Sequence, residues 1–138
     1  MAFTGIPREL AEAVTAAQLS PYGLIAVLVV VYLILGTALD GISMIVLTSA
    51  VVLPMVQKAG FDLVWFGIFI IILIEIAEVT PPVGFNLFVL QNMTGIDSNR
   101  IARAALPFFA CMLVAVALIT LFPAIVTSLP DAVMGVSR

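Results

Sequence analysis

Residues 22–39 carry no charge, residues 42–56 carry none either, and only Asp40-Gly41 stands between the two runs. That junction is the strongest constraint in the chain. A helix needs about 20 apolar residues to cross the hydrocarbon core of a bilayer. The first run is barely long enough, and the second is shorter and contains Pro54. No loop of ordinary length separates them, so the interruption is expected at membrane depth. Composition says the solvent is lipid. Apolar residues make up 64% of the chain and charged residues 9%, whereas soluble domains carry about 25% charged residues. The fold class expected is an all-α integral membrane protein.

A second break follows the same logic. Residues 63–74 are uncharged, and then come Glu75, Glu78, Thr80, Pro81 and Pro82 before the apolar run resumes at Val83. Each proline removes a backbone donor and disfavours helix at the residue before it, so this stretch is expected to be unwound. Unwound backbone at membrane depth is tolerated only where protein or a watery cavity surrounds it. Helices broken in this way point to a transporter binding site. Both breaks combine a helix breaker with small oxygen-bearing side chains, Asp40, Gly41 and Ser43 in one and Thr80 to Asn86 in the other. Free carbonyls and hydroxyls are hard ligands suited to a small alkali cation. The alternative is structural, a proline kink and a capped helix end.

The expected division is a short amphipathic interfacial helix over residues 1–21 and two apolar runs within 22–56, interrupted at 40–41. A discontinuous helix follows over 61–91, broken at 80–82. A polar loop over 92–103, a transmembrane helix over 104–130 and a tail over 131–138 complete it. Gly60 suits a helix C-cap, and Pro107 falls near the start of the last helix. The N-terminus lacks the pattern of a signal peptide. Trp65, near Lys58 and Asp62, reads as an interfacial anchor.

Few residues offer chemistry. Asp40 is an intramembrane carboxylate and so a functional candidate; it is equally an N-cap for the helix that follows. Glu75 and Glu78 share a helix face, and in lipid they must find partners, hold protons, face a cavity or lie near the interface. Glu75 is the stronger candidate for ion or proton handling. Substrate or coupling candidates are Asp40, Gly41, Ser43, Glu75, Pro81, Pro82 and Asn86. There is no histidine, and Asp40 is the one aspartate inside an apolar run. That leaves an intramembrane protease without its paired aspartates or its serine–histidine couple. No enzyme activity and no cofactor are expected. No basic cluster is present, so nucleic acid is not an expected partner. The lone Cys111 lies in an apolar run. Arg8, Lys58 and Arg138 against Arg100 and Arg103 are too evenly divided to set orientation.

Several segments together resemble a known family. They are Gly36-Thr37-Ala38-Leu39-Asp40-Gly41, Trp65-Phe66-Gly67, Glu75 through Phe88 with Thr80-Pro81-Pro82-Val83-Gly84-Phe85-Asn86 at its centre, Leu106-Pro107-Phe108 and Leu121-Phe122-Pro123. This pattern, over nearly the whole chain, resembles the C-terminal part of the large membrane subunit (DctM-like) of tripartite ATP-independent periplasmic (TRAP) transporters. The resemblance implies a multi-pass protein of the cell inner membrane. It implies sodium-coupled elevator transport of carboxylates, such as C4-dicarboxylates or sialic acid. The partners implied are a periplasmic solute-binding protein, a small membrane subunit and the missing N-terminal half of the large subunit.

By the same resemblance, this chain is one inverted-repeat half, made of a re-entrant helical hairpin over 22–56 with its tip at 40–41, a discontinuous transmembrane helix and a final transmembrane helix. Its sodium site would draw on Gly36, Ala38, Ala77, Thr80 and Val83, mostly through backbone carbonyls. Sodium is the coupling ion. Two positions depart from the family pattern. Ala77 stands where glycine is usual, and a methyl there crowds a close backbone approach; Glu78 is unusual at its position. A family member of full length is far longer, so the chain alone is not expected to transport. It could also be a scaffold or a remnant of such a permease.

Overall fold

The computed structural model describes residues 20–80 and 84–134. The expected interfacial helix falls almost wholly outside them, as do Pro81, Pro82 and Val83. The described residues form six helices: α1 (Pro21–Leu35), α2 (Gly41–Lys58), α3 (Leu63–Val79), α4 (Phe85–Thr94), α5 (Ser98–Leu121) and α6 (Ala124–Met134). Two of them, α2 and α5, are long and apolar enough to cross a membrane, and α1 is a shorter apolar helix.

Local chemistry sets the helix ends. Ser20 accepts a hydrogen bond from the Gly23 amide (3.1 Å), and Pro21 sits in the first turn, where its missing donor is harmless. The end of α2 is a Schellman turn. Gly60 adopts φ +84°, its N–H donates to the Gln57 carbonyl (3.0 Å) and the Phe61 N–H to the Val56 carbonyl (3.2 Å). Asp62 then starts α3 by accepting from the Val64 and Trp65 amides at 2.8 and 3.0 Å.

All the other helices pack against α3. Its inward face carries Trp65, Phe66, Phe69, Ile70, Leu73, Ile74, Ile76 and Ala77, all buried. Leu24, Ile25, Leu28 and Tyr32 of α1 and Met44, Val52, Met55 and Val56 of α2 complete the core. Tyr32 also hydrogen-bonds Thr48 across the hairpin.

Trp65 is not an interfacial anchor. Starting the helix at Asp62 turns Trp65 inward, where it is 2% exposed and stacks between Phe61 and Phe69 at 5.0 and 5.1 Å. Its indole N–H donates to the Ile119 carbonyl of α5 (2.7 Å). The helical donor to that carbonyl would come from residue 123, which is proline and has no N–H. The indole supplies the missing donor and fixes α5 on α3.

The C-terminal region is more broken than the sequence suggests. Asp97 accepts from the Asn99 amide (3.0 Å) and starts α5 at Ser98. Residues 95–97 are then the only non-helical stretch between α4 and α5, in place of a loop over 92–103. The earlier start also moves Pro107 into the interior of α5. In place of one helix over 104–130, Pro123 divides two. It disfavours helix at Phe122, which sits at φ −128° and ψ 72°.

Trp65→Phe keeps the ring stack but removes the donor to Ile119. A buried carbonyl left without a partner costs about 1–3 kcal/mol. We expect a lower apparent Tm in detergent, with Phe61→Leu, which keeps the indole bond, less affected. An unchanged Tm for Trp65→Phe would show that another donor, such as water, satisfies Ile119.

Candidate functional site

The turn between α1 and α2 meets the C-terminal end of α3 and the start of α4. This contact is made largely of bare backbone. A methyl built on Gly36 would lie 2.5 Å from the Ala77 Cβ and 2.9 Å from the Ala77 carbonyl oxygen. One built on Gly41 would lie 2.9 Å from the Glu78 Oε1 and from the Ile74 Cγ2. At Gly84 a side chain would run into the Glu78 carbonyl group. Three glycines from three segments thus enclose residues 74–80. The Ala77 methyl is fully buried, and the absence of a side chain at Gly36 makes room for it.

Hydrogen bonds close the same junction. The Phe85 amide, the first of α4, donates to the Gly36 carbonyl (3.1 Å). That donor has no partner within its own helix, so the hairpin turn completes the start of α4. The turn is compact, with the Ala38 and Leu39 amides donating to the Leu35 carbonyl at 3.0 and 2.9 Å. Asp40 then caps α2. Its Oδ1 accepts from the Ser43 amide (3.0 Å) and its Oδ2 from the Ser43 hydroxyl (2.6 Å). Both carboxylate oxygens are therefore engaged in capping. At the end of α3 the Thr80 hydroxyl donates to the Ile76 carbonyl (2.6 Å), which directs its proton into the helix and leaves its lone pairs for another ligand.

The site residues expected from sequence fall into groups. Gly36, Gly41, Ala77, Thr80 and Asn86 lie at or beside the junction. Asp40 and Ser43 lie at the start of α2. Ala38 is exposed on the turn, and Glu75 is exposed on α3. The residue that sequence reasoning undervalued is Glu78. It is 7% exposed, and its Oε2 accepts from the Asn86 amide nitrogen (2.7 Å). Glu75 and Glu78 look alike in the sequence. The signal that separates them is Glu78's spacing from Asn86 across the prolines. Among the described residues no three His, Cys, Asp or Glu side chains gather as a metal site.

Apolar helices whose ends pair through backbone are consistent with the class of helical membrane proteins. The chain belongs to the family described as the DctM component of the tripartite ATP-independent periplasmic transporter, whose model matches residues 1–125. It is similar to the C4-dicarboxylate TRAP transporter large permease protein DctM of Pseudomonas aeruginosa, at 35% identity over 126 residues, 91% of this chain and 30% of that protein. It is 33% identical over 125 residues to the isethionate TRAP transporter permease protein DctMQ of Oleidesulfovibrio alaskensis, covering 91% of this chain and 20% of that one. The sialic acid TRAP transporter large permease protein SiaM of Vibrio cholerae is 27% identical over 130 residues, 94% and 30% of the two chains. The chain thus spans 20–30% of the length of these curated relatives. They are permeases, not enzymes.

Gly36→Ala should force the hairpin turn away from α3, at a cost of about 1–3 kcal/mol for overpacking. Adding Ala77→Gly should recover part of the lost Tm, because the methyl–methyl clash goes while the Ala77 carbonyl carbon, 2.7 Å from the new methyl, stays. Full additivity of the two substitutions would contradict direct contact.

Proposed function

We propose that this chain is the C-terminal part of the large subunit of a TRAP permease and forms one sodium-coupling half-site for carboxylate uptake. The observation that carries the reading is the junction itself, where the Phe85 amide donates to the Gly36 carbonyl and Gly36 packs on Ala77. A hairpin turn and a broken helix end would be separate structural accidents if they lay apart. Here they share one surface. Helix ends leave carbonyls without helical partners. Sodium is a small hard cation that takes such oxygens.

In this reading α1 and α2 are the arms of a re-entrant hairpin, and α3 and α4 are the halves of a discontinuous transmembrane helix. The sodium ligands are drawn from Gly36, Ala38, Ala77, Thr80 and Val83, chiefly carbonyls, with the Thr80 hydroxyl added. Binding an ion between turn and break would favour the arrangement in which the two are closed together, which is how an ion gradient couples to movement of the half as an elevator. The rest of the large subunit, a small membrane subunit and a periplasmic solute-binding protein complete the machine in the inner membrane. Delivery by that binding protein accounts for carboxylate choice, and the relatives named for C4-dicarboxylate, isethionate and sialic acid suggest an anionic solute.

The test is uptake into proteoliposomes holding the permease complex in which this chain supplies the C-terminal part. Thr80→Val removes a hydroxyl ligand but keeps the shape, and should raise the sodium concentration for half-maximal uptake by about tenfold, the equivalent of one charge-assisted bond. Asp40→Asn keeps an effective helix cap. A shift in sodium dependence there would give Asp40 a coupling role, and no shift would leave it a cap. Unaltered sodium dependence in both variants would overturn the site assignment. Absence of sodium-driven uptake in wild type would favour a scaffold or remnant.

A further inference from the structure

Glu78 is the one charged or polar residue that is buried among those described. It sits near the C-terminal end of α3, and its neighbours come from α2 and α4. Its Oε2 accepts from Asn86 in the first turn of α4 (2.7 Å). Its Oε1 lies against the backbone of Gly41, the first residue of α2. Two helix N-termini therefore converge on one carboxylate. Such ends carry unsatisfied amides and partial positive charge, and they favour an anion. The seat is built for it. A methyl on Gly41 would lie 2.9 Å from Oε1, so glycine there lets the carboxylate reach the tip backbone.

We propose that Glu78 is a positioning residue whose carboxylate latches the hairpin tip to the far half of the broken helix. The inference rests on reading tip and break as two faces of one coupling site. The other ties across this junction are apolar contact and the Phe85–Gly36 backbone bond. Glu78 on α3 meets α2 and α4 through a single group, so its removal loosens the tip while the α3 core beneath it stays packed. In this role Glu78 sets how firmly the tip is held, and it need not touch ion or substrate.

The latch is tested by distance measurement on the permease complex in nanodiscs. Spin labels go at Ile42→Cys in the first turn of α2 and Met93→Cys in the last turn of α4, both exposed. Cys111→Ala and removal of the complex's other cysteines clear the background. Pulsed electron resonance should give one narrow distance for otherwise wild-type protein. Glu78→Ala should raise the ratio of detached to attached tip by about tenfold, as loss of a charge-assisted bond predicts. Glu78→Gln keeps an acceptor oxygen and should stay near the wild-type distribution. Asn86→Asp sets two carboxylates against each other and should detach the tip. Adding Glu78→Gln to Asn86→Asp restores a donor and an acceptor with their places exchanged, and should return the narrow distance.

A wild-type distribution in Glu78→Ala would overturn the latch. So would an exchanged pair no narrower than Asn86→Asp alone, a comparison that holds even if Glu78→Ala fails to assemble. The readout needs no transport. Unchanged distances in a complex that shows sodium-driven uptake count against the latch alone, whereas a working latch without such uptake counts against the coupling reading alone.

Discussion

The contact between Gly36 and Ala77 is the one on which the rest of the arrangement depends. A hairpin turn and a broken helix both present backbone groups that hydrocarbon cannot satisfy. They are stable at membrane depth only if they satisfy each other or face water. The absence of a side chain at Gly36 brings the turn close enough for its carbonyl to receive the Phe85 amide at 3.1 Å. Gly41 and Gly84 allow the same close approach on either side of Glu78. The polar groups of the two interruptions are thereby gathered into one place.

The helix that carries this junction also carries the core. Along α3 the aromatic stack of Trp65 and Phe69 and the aliphatic run through Ile76 fix the helix against its neighbours. Past Ala77 the packing becomes hydrogen bonding, through Glu78, Thr80 and the start of α4. Rigidity at one end and polar, reversible contacts at the other suit a site that must hold a geometry and also release it. The outward faces of α5 and α6 are strongly apolar, with Phe108, Leu129 and Val133 mostly exposed. Lipid or the remainder of a longer permease is the natural cover for them.

Much of this was legible in the chain. Uncharged runs gave the apolar helices, whereas the turn expected at Asp40-Gly41 lies at residues 36–40, where Asp40 already caps α2, and Thr80 ends α3. What was not legible depends on contacts distant in sequence. Trp65 looked like an interfacial anchor, since nothing local reveals that Pro123 leaves the Ile119 carbonyl in need of a donor. The break at Pro123 was underweighted because hydropathy runs straight through it. The capping role of Asp97 was hidden in a polar stretch that looked like loop. Nothing local separates Glu75 from Glu78, one helical turn apart; contacts with Gly41 and Asn86, from elsewhere in the chain, bury only the second.

The central claim is that turn and break form one ion-binding unit. Hydrogen–deuterium exchange on the permease complex in nanodiscs, with sodium compared to potassium at equal ionic strength, tests it most directly. If the claim holds, sodium slows exchange of the backbone amides in residues 36–43 and 84–88 together, the Phe85 amide among them, while the core of α3 is unchanged. Protection that is the same in both salts, or that reaches only one of the two segments, would contradict it.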